Sequence, residues 1–102
     1  MIAPDKCHSM DDLRIQIDAL DARLVSLLSE RARYIERAAQ IKAGAGLPAR
    51  IDDRVEEVVA NVRARASVEG LDPGLAEKLW RDLIEWSIGR EEMALGAGEE
   101  RQ

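Results

Sequence analysis

The sequence predicts an all-α protein that pairs as a homodimer, with one long helix and two shorter ones in each chain. Two observations predict the helices: apolar residues recur at alternating steps of four and three, and no segment alternates as a half-buried strand would. A third predicts the dimer: the first helix is too long for a chain of 102 residues to cover.

The first helix carries apolar or small residues at Leu13, Ile17, Leu20, Leu24, Leu27, Tyr34, Ala38 and Ile41. Ser9 followed by Asp12 has the spacing of a capping box, and "GAG" at 44–46 with Pro48 supplies the stop, so the helix spans about Met10 to Ala43. At about 1.5 Å per residue it is on the order of 50 Å long, whereas a compact domain of this size has a radius of gyration near 13 Å. A second copy, its long helix antiparallel to the first, would cover the remaining seam.

The second helix starts near "IDDR" with Asp52 or Asp53 as its cap, carries Val55, Val58, Val59 and Val62, and ends at Gly70. The third opens at "DPG", with Asp72 as cap and Pro73 at the first helical position. It runs through Leu75, Leu79, Trp80, Leu83, Ile84 and Trp86 toward Leu95. The tail "GAGEERQ" is expected to be loose, as is the arm before Ser9, leaving an ordered core of about 9–95 within a single domain 1–102.

Composition narrows the function. Hydrophobic residues make up 46% of the chain, but with two Trp, one Tyr and no Phe the core must be aliphatic and modest. Twenty acidic residues against fifteen basic ones leave a net charge of -5, with no broad basic surface for a nucleic-acid partner. The opening "MIAPDKCHSMDD" lacks the apolar run of a secretory signal, and no later stretch reaches membrane-spanning length, which predicts a cytoplasmic protein with no membrane partner. One cysteine, Cys7, and one histidine, His8, cannot form an internal disulfide or a zinc cluster, so no metal is expected. "GAGAGLP" reads as a connector, because it lacks the Lys-Ser/Thr of a phosphate loop.

Several polar residues sit where the apolar pattern calls for leucine. Arg31 lies between Leu27 and Tyr34 in the first seam, and a buried guanidinium needs an anion beside it. Lys42, eleven residues on, returns to within about 20 degrees of the same direction, roughly 16 Å along the axis. The two could hold a small dianion between them, or each could pair with a carboxylate of the protein. Trp80, Ile84, Ser87 and Glu91 follow four-three-four spacing on the third helix, which makes Glu91 the natural partner of Lys42 or Arg31. Arg14 is too far from Arg31 on one straight helix to share a small pocket with it, but could do so from an antiparallel partner; otherwise it would pair with Asp18 at i+4. Arg54, in the first turn of the second helix, is either solvated beside Asp52 and Asp53 or placed to favour an anion at the helix N-terminus.

In this order and spacing, "LRIQIDALDARLVSLLSERARYI", Lys42, Arg54 and "LIEWSIGRE" resemble the small all-helical (AroQ) class of chorismate mutase and its relative, isochorismate pyruvate lyase, over about residues 7–95. The resemblance implies an intertwined helical dimer with two equivalent pockets. In each, Arg14 of the partner chain would join Arg31, Arg54 and Ser87 in binding a small dicarboxylate, with Lys42 and Glu91 facing the ether oxygen of chorismate. It further implies a pericyclic rearrangement of chorismate to prephenate in aromatic amino acid biosynthesis, with no cofactor, metal or covalent intermediate. Cations on a dry face would select the compact conformer and stabilise the charge that develops on the ether oxygen. Glu91 would then have to be protonated to donate there, so activity would fall as pH rises.

Val55 stands where many mutases of this class carry a glutamate that holds the ring hydroxyl, and there the lyase branch tends to be apolar. The opening "DKCHSMDDLR" also looks closer to the lyase branch, whereas Ser87 looks like the mutase branch. The expected activity is chorismate mutase. The alternatives are isochorismate pyruvate lyase or a bifunctional enzyme, and, in a different class, a helical dimerisation module without activity.

Overall fold

The computed structural model describes the backbone of residues 1–100 and the side chains through residue 96. Three α-helices make up the fold, α1 (Met10–Ala45), α2 (Asp52–Glu69) and α3 (Pro73–Glu100), after a 3-10 turn at Pro4–Lys6. Among the described residues there is no strand, as the apolar spacing predicts.

The chain divides into two compact units, the first comprising Met1–Tyr34 and the second beginning at Ile35. In the first unit, the Asp12 N–H donates to Ser9 Oγ at 3.1 Å, so Ser9 caps α1 as expected. The return bond of the capping box is displaced by one residue, because the Asp12 carboxylate accepts from the backbone N–H of His8 at 3.2 Å. In the arm before Ser9, the Ile2 N–H donates to Gln16 Oε1 at 3.0 Å, and Cys7 is half-buried. Leu20, Leu24 and Leu27 of the seam are 45–58% exposed in the single chain.

In the second unit, α2 and α3 pack against each other. Ala49, Val59, Ile84 and Ile88 form the buried cluster, with Val55, Val58 and Leu95 packed against it. The core is aliphatic, as the scarcity of aromatics requires.

Both α1 and α2 end on a glycine with positive φ. At Gly46 (φ 70°) and Gly70 (φ 77°) the backbone turns left-handed, a conformation that costs glycine no Cβ clash. The residue after each glycine donates back to the carbonyl five residues earlier, Leu47 to Lys42 at 2.9 Å and Leu71 to Ala66 at 2.8 Å. Gly46 is thus the stop for α1, whose last residue, Ala45, lies two beyond the expected end at Ala43.

Two boundaries differ more clearly. The N-cap of α2 is Ile51, which makes no side-chain capping bond. Asp52 and Asp53 lie inside the first turn, where their charge still favours the helix dipole. At the other end, α3 continues to Glu100 through the expected loose tail, and Arg101 and Gln102 lie outside the described residues. The glycines at 96 and 98 weaken the helix by roughly 1 kcal/mol each relative to alanine without supplying a left-handed stop. Asp72 does cap α3 as expected, accepting from the Gly74 N–H at 2.9 Å.

Candidate active site

The central feature of the second unit is an ion pair. Lys42 Nζ donates to Glu91 Oε2 at 2.9 Å and to the Ala49 carbonyl at 2.7 Å. The Glu91 side chain is 5% exposed and that of Lys42 19%, so solvent screens the pair poorly.

Helix periodicity explains how Glu91 comes to be inside. Ile84, Ser87, Ile88 and Glu91 lie on one stripe of α3 and are all buried, at 4–7% exposure. A lone carboxylate in that stripe would carry a desolvation penalty of several kcal/mol, which the ammonium of Lys42 offsets. Lys42 in turn is encircled by its own connector: its backbone carbonyl accepts from Leu47, and its ammonium donates to Ala49.

Open space adjoins both members of the pair. A cleft of about 790 Å³ is lined by Lys42, Leu47, Pro48, Ala49, Arg50 and Leu95. A second, of about 380 Å³, is lined by Ile35, Glu36, Ala39, Arg90, Glu91 and Ala94. Each volume is sufficient for a small organic anion.

The other singled-out residues are placed as follows. The Ser87 hydroxyl is buried and donates to the Leu83 carbonyl one turn earlier at 2.8 Å. Val55 is half-buried against the aliphatic cluster. Arg54 is exposed and ion-pairs with Glu57 on its own helix. Arg31, half-buried, and Arg14, exposed, belong to the first unit. Arg14 makes no ion pair with Asp18 among the described residues.

Arg50 is one residue that the apolar pattern gave no reason to single out. Its guanidinium grips Glu85 of α3 with two bonds, Nη1 to Oε1 at 2.9 Å and Nη2 to Oε2 at 2.6 Å. Both residues lie on exposed positions 35 apart in sequence, so periodicity offers no signal for the contact.

A three-helix chain with a buried lysine–glutamate pair beside an open cleft is the architecture of a small helical protein with a polar site built between helix faces. The chain belongs to the chorismate mutase type II family, whose model matches residues 13–92. It is 32% identical to the isochorismate pyruvate lyase of Pseudomonas aeruginosa over 89% of both chains. It is 34% identical over 55 residues to the bifunctional chorismate mutase/prephenate dehydratase of Aquifex aeolicus, and 28% identical over 84 residues to the T-protein of Haemophilus influenzae. These matches span 15% and 22% of the two longer proteins.

Proposed function

We propose that this protein is a chorismate mutase, acting as a homodimer whose pockets each draw on both chains. The observation that carries the reading is the buried Lys42–Glu91 pair beside a cleft, within a chain whose residues 13–92 match the chorismate mutase type II family. The rearrangement breaks a carbon–oxygen bond while a carbon–carbon bond forms, and negative charge grows on the ether oxygen. An ammonium held in place before the reaction stabilises that charge without reorganising at the barrier.

Lys42 and Glu91 then face the ether oxygen, and Arg31 with the partner's Arg14 binds the carboxylates through bidentate geometry that lysine cannot copy. Ser87 assists at the ring carboxylate, and Arg54 adds positive potential. The second copy covers the half-exposed leucines of α1, whose apolar seam is long enough to pair along its length.

A second reading, isochorismate pyruvate lyase, is favoured by the 32% identity to that enzyme over 89% of both chains and by Val55, which has no carboxylate to hold a ring hydroxyl. Supplying chorismate and isochorismate separately, with product identification, tests both. Prephenate from chorismate supports the mutase, while salicylate and pyruvate from isochorismate support the lyase. Turnover of neither would leave a non-catalytic helical module as the reading.

A further inference from the structure

The connector between α1 and α2, residues 46–51, is wrapped around Lys42. At its start, the Leu47 N–H closes the end of α1 onto the Lys42 carbonyl; further along, the Ala49 carbonyl accepts from the Lys42 ammonium. Directly after Ala49, Arg50 makes its two-pronged bond to Glu85 on α3. The same helix carries Glu91, the other acceptor of Lys42. The connector is thereby tied to the helix that holds the second half of the ion pair, one residue from the carbonyl that orients the first half.

We infer that Arg50 and Glu85 are positioning residues: their ion pair latches the connector to α3, so that the Ala49 carbonyl stays on the Lys42 ammonium and aims it into the cleft. The inference deepens the proposed function and rests on it for its effect on turnover. The latch itself can be measured without turnover. Its geometry suits the task, since a planar guanidinium meeting a carboxylate through two parallel bonds fixes direction as well as distance. The side chains are 43% and 58% exposed, so the pair contributes little to global stability and its removal leaves the fold intact. Ala49, buried against Val59, Ile84 and Ile88, keeps the strand of connector near α3 when the latch is open. Loss of the latch therefore loosens Lys42 without releasing it.

The experiment compares R50A, E85A, R50A/E85A, R50K and the charge swap R50E/E85R with the unaltered chain. Lys42 is first labelled with an amine-acetylating ester in the absence of substrate, and the rate is followed by peptide mass spectrometry. An exposed pair of this kind predicts labelling about threefold to fivefold faster in each alanine variant, with the double variant no faster than either single one. R50K, which offers one point charge in place of the fork, falls between, and the charge swap returns toward the original rate. On the substrate that is turned over, kcat falls by a similar factor with KM little changed, because the orientation of Lys42 counts mainly in the transition state. Unchanged Lys42 labelling in all variants, or single effects that simply multiply in the double variant, would overturn the latch. If neither chorismate nor isochorismate is turned over by the unaltered protein, the functional reading fails while the labelling still decides the latch.

Discussion

Lys42 and Glu91, 49 positions apart in the chain, meet at 2.9 Å with the Glu91 side chain 5% exposed. The pair joins the last turns of α1 to the middle of α3, in a unit whose buried cluster, Ala49, Val59, Ile84 and Ile88, is aliphatic. Removing the ammonium should lower turnover of the substrate by about a hundredfold to a thousandfold, the range for deleting one aimed donor from a developing oxyanion. Glu91 would be left buried and unpaired, so the measurement should compare Lys42→Met with Lys42→Met/Glu91→Gln, which removes both charges. Near-normal kcat in either would exclude Lys42 from the chemistry.

Arg14 and Arg31 provide a test of the composite pocket. Arg14→Ala and Arg31→Ala should each abolish turnover alone. Mixed and refolded together, they should regain about a quarter of the original activity, because half of the random dimers are hybrids and each hybrid holds one intact site. No recovery on mixing, with hybrids verified by mass, would place both arginines in the same chain's pocket or in none.

The α2–α3 surface makes stability sensitive to acid. Glu56 is held below the ordinary carboxylate range by its hydrogen bonds from Arg81, and Glu77 likewise by Arg81, with Arg63 adding to it. Glu85 is lowered by Arg50. A depressed carboxylate contributes stability that is fully present above its unfolded value, about 4.3, and is lost as pH falls through the folded value. The urea midpoint should therefore decrease between about pH 5 and about pH 3, and Arg81→Ala should reduce the slope. An equal acid dependence in that variant would remove this network as its source.

Ile84 tests the core. It is 7% exposed in the cluster with Ala49, Val59 and Ile88, so Ile84→Ala should cost about 2–4 kcal/mol of unfolding free energy, with both the transferred methyl groups and the remaining cavity contributing. A loss below about 1 kcal/mol in chemical denaturation would show that the site collapses or is already loosely packed.

Much of the fold can be read from local pattern. Ser9 and Asp72 act as caps where the spacing places them, and Gly46 and Gly70 end helices because no other residue turns left-handed as easily. The start of α2 is less legible: two aspartates compete for the cap, yet Ile51 occupies it, since the connector's path around Lys42 decides where the backbone enters the helix. The end of α3 is less legible too, since α3 runs to Glu100 through glycines that permit a stop without compelling one.

The candidate site divides in the same way. By itself the sequence determined that Glu91 and Ser87 fall on the buried stripe of α3 and that Lys42 lies on the apolar side of α1, because helical periodicity assigns a side chain its face from spacing alone. Only the tertiary structure decided that Lys42 pairs with Glu91, that the Ala49 carbonyl completes its coordination, and that Arg50 closes on Glu85. Those contacts join residues whose separations along the chain carry no periodic relation. They depend on how α3 returns past the end of α1 and on the course of a six-residue connector, which local propensity leaves open.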